Sequence, residues 1–409
     1  MGRAEFVTLM AALMALTALA IDSMLPALQT IGAELGVKDP NRSQLVLTSF
    51  LIGLGIGSLV HGPLSDRFGR RPILLGALAS YVVLAIVCGV APTFDLLLAA
   101  RFALGFSAAS MGVLTISIIR DRFSGDDMAQ LLSTTFTVFM IVPVIAPSVG
   151  QFILLFAHWR WIFLVLAAMG SVMLLWVWKR LPETMDPADA VPLQPKRLVR
   201  EWGQIATHRS ATPYMLASAL AQGGLFGYLN SGPQIFADVF DAESFFPTAF
   251  AMVAVTMAAT NYINSRIVQR FGARRVSHTA LILYIAFAAM QLASALLYPE
   301  SLPLFLVTLA LNMSMIGLIG SNFGSIAMEP FGHVAGSASS FGSAVRTLVA
   351  ATIGAYIGHI YNETAAPMSL GFLACGIASL LLVLFAEHGR LFTRPRTARP
   401  SDAALPRSS

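Results

Sequence analysis

The stretch Gly62-Pro63-Leu64-Ser65-Asp66-Arg67-Phe68-Gly69-Arg70-Arg71-Pro72 decides the fold of this chain of 409 residues. It joins two runs that contain no Asp, Glu, Lys or Arg, residues 43–65 and 72–94. About 20 helical residues at 1.5 Å each cross the ~30 Å apolar core of a bilayer, and each run is long enough to do so. Glycine and proline in the charged segment favour a tight turn. The stretch is therefore typical of a short loop between two membrane-spanning helices.

Uncharged apolar runs recur along the whole chain, and most exceed the roughly 18 residues that indicate a span. Two further apolar stretches, residues 6–27 and 335–358, contain one charge each, Asp22 and Arg346. Backbone groups in lipid can be satisfied only in helices and closed barrels, and runs of this length favour helices. We predict an all-α integral membrane protein with twelve transmembrane helices. The uncharged runs are 43–65, 72–94, 102–119, 128–159, 161–178, 210–237, 244–265, 276–299, 301–328 and 364–386.

The composition argues against a soluble protein. The hydrophobic fraction is 56% and the charged fraction 11%, whereas soluble domains have about 45–50% and about 25%. The first apolar stretch does not resemble a signal peptide, because it lacks a small-residue cleavage pattern and carries Asp22 near its end. Cys88 and Cys375 lie inside apolar runs, so we interpret both as packing residues and expect no disulfide or metal site.

The basic residues predict the orientation. If the N-terminus is cytoplasmic, the inward segments hold 21 Lys and Arg residues and the outward segments hold three, which are Lys38, Arg42 and Arg160. Cytoplasmic loops carry the excess of basic residues, so we expect both termini in the cytoplasm. This asymmetry also accounts for the net charge of +5, and we expect no nucleic-acid partner.

An internal repeat divides the chain. The sequence Arg-Phe-Gly at residues 67–69 recurs at residues 270–272, which is 203 positions later. Basic clusters at cytoplasmic turns are common for topology alone, but the shared core at matching positions favours a duplication. We predict two pseudo-symmetric six-helix bundles that bind substrate between them near the midplane. The predicted boundaries are 1–180 and 212–388 for the bundles, 181–211 for a cytoplasmic linker, and 389–409 for a disordered basic tail.

Residues 62–72 resemble the loop 2–3 signature of the major facilitator superfamily nearly throughout. Residues 101–105 in span 4 resemble the Arg-x-x-x-Gly pattern of proton-coupled members. Residues 21–28 and 335–340 are similar to the Bcr/CflA group of drug-efflux proteins. Span 5 resembles the glycine and proline pattern of drug/proton antiporters at Pro143, Ala146, Pro147 and Gly150.

The resemblance implies proton-coupled efflux of small amphipathic drugs across the bacterial inner membrane by alternating access. It implies a monomer that is driven by the proton gradient, without a cofactor, and whose partners are the bilayer, protons and a small-molecule substrate. The span 5 pattern departs from the group, because Ala146 and Gln151 replace glycines that permit close helix approach. The alternative is a proton-coupled importer or exporter of one metabolite on the same fold.

Asp22 and Arg101 are the predicted proton-coupling residues. A charge inside a span is costly and usually faces a cavity with a function. Asp22 lies near the outer end of span 1 and Arg101 near the outer end of span 4, each about 7–8 Å below the outer face. Their matching depth permits contact. The alternative is a static ion pair that joins the two spans.

The loop residues are predicted to form a cytoplasmic gate. The resemblance implies that Asp66 bonds the start of span 11, near residues 334–337, where the helix dipole favours an anion. It also implies an ion pair between Arg70 and Asp121. The alternative is that these charges serve topology alone. In the second half Gln269 replaces the acid, so we expect the full network in the first half only. The remaining predicted gate residues are Gly62, Arg67, Gly69, Arg71 and Arg120.

Aromatic, methionine and amide side chains could form an adaptable substrate pocket, although packing is the alternative for each. Arg346 in span 11 either attracts an anionic or carbonyl-bearing substrate or bonds backbone carbonyls. The predicted pocket residues besides Arg346 are Met24, Met111, Phe136, Gln222, Phe226, Tyr228, Asn230 and Asn322.

The motifs do not predict an enzyme or a primary pump. None of the three lysines, Lys38, Lys179 and Lys196, lies in a phosphate-binding Gly-Lys-Ser/Thr motif. The sequence contains neither His-Glu-x-x-His nor Gly-x-Ser-x-Gly. We therefore predict a secondary transporter with no catalytic residues.

Overall fold

The computed structural model describes residues 1–123, 125–186 and 194–392, except the side chains of residues 125–126, 129, 133, 136–140 and 332–335. Every regular element in this part of the chain is helical. The α-helices are α1 Arg3–Asp22, α2 Leu28–Glu34, α3 Leu45–Phe68, α4 Arg70–Val90, α5 Phe94–Arg122, α6 Gly125–Phe156, α7 Arg160–Arg180, α8 Pro195–Ala206, α9 Ala211–Gln234, α10 Phe246–Phe271, α11 Ala273–Leu297, α12 Leu302–Met328, α13 Ala335–His359 and α14 Ala366–Ala386.

Ten helical segments are long and apolar enough to cross a membrane, so the prediction of an all-helical membrane protein is confirmed. The predicted count of twelve includes α6 and α9, which are not among the ten. Within the described residues α6 contributes a shorter apolar helix, Ile141–Phe156. Helix α9 is buried along nearly all of its second half. A helix that is surrounded by other helices can carry polar side chains without exposing them to lipid, which lowers its hydropathy.

The outer surface carries large apolar side chains, as a lipid-facing surface should. Phe152, Leu155 and Phe156 are exposed along α6. Trp161 and Trp178 are exposed at the two ends of α7, where the amphipathic indole ring suits the membrane interface.

A glycine turn explains the Arg-Phe-Gly repeat. Helix α3 gives way to α4 at Gly69, which has φ 97° and ψ 153°. Helix α10 gives way to α11 at Gly272, which has φ 84° and ψ 151°. Residues that carry a side chain rarely adopt this backbone conformation with positive φ, so glycine is favoured at both turns. The matching geometry supports the interpretation of the sequence repeat as a structural one.

Small residues bring the helices that carry the candidate site into close contact. A Cβ on Gly105 of α5 would lie 3.0 Å from the Cα of Phe50 in α3. A Cβ on Gly150 of α6 would lie 2.7 Å from the carbonyl carbon of Ser23, just after α1. Glycine is therefore needed at both contacts, because only glycine lets two backbones approach so closely.

Helices α3 and α13 pack against each other in antiparallel directions and join the two parts of the chain. A Cβ on Gly55 would lie 2.7 Å from Cγ of Leu348, and a Cβ on Gly62 would lie 3.3 Å from Oγ of Ser340. Continuing this register by one turn brings Asp66 to the first turn of α13. Helix α6 packs on α10, which is a second contact between the two parts of the chain.

The predicted polar linker differs from a simple loop, because it contains the amphipathic helix α8. Ile205 is buried on one face of α8, which packs on α13. Residues 187–193 of the linker and residues 393–409 of the tail lie outside the described residues, so the predicted disorder of the tail stays a prediction.

Candidate functional site

Arg101 is completely buried in α5 and donates hydrogen bonds to two backbone carbonyls. Its Nε donates to the carbonyl of Val46 and its Nη1 to the carbonyl of Ala20, both at 3.1 Å. The guanidinium also lies 4.4 Å from the ring centre of Phe50, which is a cation–π distance. Ala20 is in the last turn of α1, where the helix dipole favours a cation. These groups stabilise a positive charge among apolar helices.

Asp22 ends α1, and its side chain is only 6% exposed. The predicted matching depth is consistent with the bond from Arg101 to Ala20, two residues before Asp22. The expected direct contact is nevertheless absent, since no ion pair joins Asp22 to Arg101 in the described structure. The helix carbonyls take the guanidinium donors instead. The static ion pair is not formed in this conformation, and the coupling role stays a prediction.

The predicted ion pair of the gate is present. Nε of Arg70 donates to Oδ2 of Asp121 at 2.8 Å, which ties the start of α4 to the inner end of α5. Nη1 of Arg70 donates to Oγ of Ser65 at 2.8 Å and also to the carboxylate of Asp66. Arg70 is buried, so its charge depends on these partners.

Asp66 forms an ion pair with Arg70, one helical turn away. Among the described residues, no bond joins its carboxylate to residues 336–337 of α13. At that helix start, Oγ of Ser337 donates to Oε2 of Glu201 in α8 at 2.6 Å. This bond from Ser337 is the main reason that the pKa of Glu201 lies below its ordinary value. The side chains of residues 332–335 are outside the described set, so the predicted contact with that part of α13 stays a prediction.

The other predicted gate residues have separate roles. Gly69 forms the turn, and Gly62 lets α3 approach Ser340. Arg71 donates to the carbonyl of Trp178 at 2.8 Å. The side chains of Arg67 and Arg120 are exposed, which fits the alternative that these charges serve topology.

Glu183 contacts the predicted gate and was not expected from the sequence. It follows α7, and its two carboxylate oxygens accept the backbone N–H groups of Arg70 and Arg71 at 3.0 Å each. It thereby caps the first turn of α4. Partial burial raises the pKa of Glu183, but the backbone donors outweigh that effect and hold it below its ordinary value. No spacing pattern links residue 183 to residue 70, so no sequence signal could have found the pair.

The second half has an ion-pair network of its own, built from residues outside the loop motif, so the expectation that the full motif network forms in the first half only stays a prediction. Arg274 donates to Glu329 at 3.0 Å and to Glu387 at 2.9 Å. Tyr214 of α9 donates to the same Glu387 carboxylate at 2.7 Å. The basic residue lies one position later than Arg70 relative to the turn glycine, and its acids come from other positions. Alignment of the loop motif alone therefore could not predict it.

A cluster of amide side chains joins the two halves at the end of the bundle opposite the gate. We call Asn41, Gln44 and Gln234 the amide clasp. Nδ2 of Asn41 donates to the carbonyls of His359 and Tyr361 at 3.2 and 3.0 Å. Gln44 donates to Gln234 and to the carbonyl of residue 358, and Gln234 donates to Asn41 at 3.1 Å. These bonds hold the N-terminal end of α3 to the C-terminal ends of α9 and α13.

Most of the predicted pocket residues pack in the core, which fits the alternative for each. Met24 and Met111 are fully buried, and Tyr228 stacks on Phe250 with ring centres 5.9 Å apart. Phe226 is buried against α13. Asn230 donates within its own helix at 2.8 Å, and Asn322 donates to Asn264 of α10 at 2.9 Å. The side chain of Phe136 lies outside the described residues.

Gln222 and Arg346 are the predicted pocket residues whose described side chains are not buried. Gln222 is half-buried, and Arg346 is exposed halfway along α13. No bond from Arg346 to a backbone carbonyl is present among the described residues, so both interpretations of Arg346 stay predictions.

The span 5 pattern lies where α6 meets α1. Ala146 and Pro147 are buried and Pro143 is half-buried, while Gly150 permits the close contact with Ser23. Proline within α6 removes backbone donors and bends a helix. The pattern therefore shapes the contact with the end of α1, where Asp22 lies.

Two cavities lie away from the predicted pocket. A cavity of 260 Å³ lies beside the amide clasp, between α3 and α13, and it reaches Thr48 and Tyr356. Another of 580 Å³ lies between α3, α4 and α5 and is lined by His61, Phe102 and Phe106. None of the predicted pocket residues lines either cavity.

The chain matches the Major Facilitator Superfamily over residues 10–355. It is 31% identical over 375 residues to the bicyclomycin resistance protein homolog of Haemophilus influenzae, which covers 91% of this chain and 94% of that protein. It is 28% identical over 375 residues to multidrug resistance protein MdtL of Escherichia coli, covering 90% and 92% of the two chains. The predicted resemblance to the superfamily and to its drug-efflux group is confirmed.

The solved structures agree on the fold. A crystal structure of a D-xylose-proton symporter superposes with a TM-score of 0.73 at 16% identity and covers 93% of this chain and 95% of that one. A likeness at that identity shows the architecture and not the substrate. The chain belongs to the Major Facilitator Superfamily and is a multi-pass transporter of the bacterial inner membrane.

Proposed function

We propose that this protein exports small amphipathic drugs across the inner membrane in exchange for protons. The observation that carries the proposal is Asp22, a buried carboxylate at the end of α1 that has no ion pair with the neighbouring Arg101. A carboxylate in such a place favours protonation or a positively charged partner. A proton and a cationic group of the drug would therefore compete for Asp22. The relatives named as a bicyclomycin resistance protein homolog and as a multidrug resistance protein support this substrate class.

Arg101 leaves the carboxylate of Asp22 available to bind a proton or a cation. Its Nε and Nη1 are bonded to the carbonyls of Val46 and Ala20, so it raises the local positive potential without neutralising Asp22 directly. Binding of a cation or a proton at Asp22 then changes the charge balance at the junction of α1, α3 and α5. That junction is close to α6 through Gly150, which would pass the change to the α6–α10 contact.

Alternating access requires each end of the bundle to open in turn. The amide clasp supports a state in which the end near residues 41–44 is closed. The cytoplasmic gate at Arg70 and Asp121 lies at the other end of α3. Export would proceed by breaking the clasp while the contact between Asp66 and the start of α13 forms.

The proposed topology has twelve spans and both termini in the cytoplasm. Helices α6 and α9 complete the ten apolar spans, since each has more than 20 residues and could reach across a bilayer. The excess of basic residues at the gate end supports a cytoplasmic gate. The protein would act as a monomer, with protons and a small molecule as partners and no bound cofactor.

Everted membrane vesicles test the exchange. Vesicles with an acid interior should accumulate ethidium, followed by its fluorescence, when they contain the wild-type protein. Asp22→Asn should reduce uptake to the level of vesicles without the protein, because the amide cannot exchange a proton. Asp95→Asn is the matched control, since Asp95 is an exposed acid at the start of α5.

The direction of the gradient dependence decides between the proposal and the importer. Uptake that needs an interior more alkaline than the medium would indicate proton-coupled import. Proton-driven ethidium uptake that persists in Asp22→Asn would remove Asp22 from the coupling role.

A further inference from the structure

Arg346 has a charge that no described side chain neutralises. Its side chain is exposed at the middle of α13, and no hydrogen bond or ion pair joins it to another described residue. A charged side chain facing hydrocarbon there would cost about 2.5–3.5 kcal/mol on insertion scales. The exposed guanidinium must therefore face a water-filled pathway between the helices and not lipid.

The register of α9 against α13 identifies the neighbours of Arg346. A Cβ on Gly342 would lie 3.5 Å from Cε of Met215, and a Cβ on Gly223 would lie 2.8 Å from Cγ2 of Ile353. The two helices therefore run in parallel. Arg346, one turn beyond Gly342, lies at the level of Ser218, which is about one turn beyond Met215.

Ser218 and Gln222 extend the polar character of this level. With Met215 they have the spacing of three and four residues that places side chains on one face of α9, the face towards α13. The hydroxyl of Ser218 is buried and has no hydrogen-bond partner in the described part of the chain. Ser343 precedes Arg346 by three residues and lies on the same face of α13. We call Ser218, Gln222, Ser343 and Arg346 the Arg346 patch.

The patch offers hydrogen-bond donors in excess of acceptors. The guanidinium alone carries five N–H donors and no acceptor, and a buried hydroxyl adds another donor. The sequences of α9 and α13 contain no Asp or Glu. The buried hydroxyl of Ser218 is costly without a partner, and the exposed guanidinium beside it is positively charged, so a ligand that supplies acceptor oxygens would be favoured here.

We infer that the Arg346 patch is the subsite that binds a negatively charged oxygen group, such as a carboxylate, on the transported compound. The inference rests on the proposed function, because it names a substrate class for the same pathway. The planar guanidinium can bind both oxygens of a carboxylate at once, which a neutral ester does not offer. Asp22 belongs to the other half, so it stays free for the proton or for a cationic group of the same compound.

A matched pair of dyes tests the inference. Rhodamine 110 carries a free carboxylate, and rhodamine 123 is its methyl ester on the same cationic ring system. Fluorescence polarisation with the purified full chain in nanodiscs measures the affinity for each. Wild-type protein should bind rhodamine 110 about ten-fold more tightly, as expected for one charge-assisted hydrogen bond.

Variants assign the preference to the patch. Arg346→Gln should bind the two dyes equally, and Arg346→Lys should keep part of the preference because the ammonium lacks the planar fork. Arg266→Gln is the control, since Arg266 is an exposed cation in α10 away from the patch. Equal affinities in the wild type, or a preference that survives in Arg346→Gln, overturn the inference.

A second measurement guards against misfolding of the Arg346 variants. Ser343→Cys should react with a water-soluble thiosulfonate, and rhodamine 110 should slow that reaction more than rhodamine 123 does. Equal protection by the two dyes also overturns the inference. Neither assay uses a proton gradient, so a dye preference without gradient-driven ethidium uptake would refute the proposed function alone.

Discussion

At the scale of single residues, the carboxylate of Glu183 should stabilise the cytoplasmic gate in a pH-dependent way. Its folded-state pKa lies below the ordinary value of 4.5, so its stabilising effect is present above that pH. The effect is lost as the pH falls through the folded-state pKa. Glu183→Gln should therefore lower the melting temperature in detergent at pH 7, corresponding to about 1 kcal/mol for a lost helix cap.

The difference in melting temperature between the wild type and Glu183→Gln should shrink as the pH is lowered below 4.5. The Glu183 carboxylate then becomes protonated and is neutral, as the glutamine is at every pH. Glu300→Gln, which changes an exposed acid between α11 and α12, serves as the control and should leave the melting temperature unchanged at every pH. A difference that stays constant from pH 7 to pH 3.5 would contradict the role of the charge.

Residues that stand out in their immediate sequence were predictable. Asp22 and Arg346 interrupt apolar stretches, and a charge in such a stretch indicates a functional site whatever its partners are. Glu183 and Glu201 lie in polar segments where acids are common. Their importance comes from contacts with residues far away in the chain, which a single sequence does not show.

At the scale of secondary-structure elements, the turn between α3 and α4 depends on one residue. Gly69 has φ 97° and ψ 153°, a region that is almost exclusive to glycine and that costs other residues roughly 1–3 kcal/mol. Gly69→Ala should therefore lower the melting temperature of the purified protein and weaken the contact of Glu183 with the start of α4.

Gly76→Ala is the matched control for the turn. Gly76 lies inside α4, and a Cβ added there would meet no atom within 4 Å. Alanine is about 1 kcal/mol better than glycine in a helix interior, so this variant should be equally stable or more stable. An unchanged melting temperature in Gly69→Ala would show that the turn relaxes to accept a side chain.

The helices were more predictable than their contacts. Long uncharged runs reveal spans and the helical class, because the bilayer demands apolar surfaces. Helix α8 leaves no such run, because its apolar face is short and its charges resemble those of a polar loop. The sequence of α9 resembles that of any other span, although α9 is enclosed by other helices and can therefore carry Gln222 and Asn230.

At the scale of the whole molecule, the two halves meet through residues that are distant in sequence. Gln44 and Gln234 lie almost half the chain apart, and neither interrupts a motif. The repeat predicted that two halves exist, because duplication leaves similar residues at a fixed spacing. It could not predict the amide clasp, since the contacts between the halves are not part of the repeat.

The amide clasp should set the balance between the two open states of the transporter. Each neutral hydrogen bond contributes about 0.5–1.5 kcal/mol, so removing the bonds of both glutamines should shift the balance by a factor of ten or more, at about 1.4 kcal/mol per ten-fold. The double variant Gln44→Ala, Gln234→Ala should therefore open the end near residues 41–44 more often.

Thr48→Cys reports this opening, because Thr48 is buried and lines the cavity beside the clasp. A membrane-impermeant maleimide added on the periplasmic side should label Thr48→Cys about ten-fold faster in the double variant. Gln151→Ala, a half-buried amide of α6 outside the clasp, should leave the labelling rate unchanged. Equal labelling rates with and without the two glutamines would mean that apolar packing of α3 on α13, and not the amide clasp, keeps this end closed.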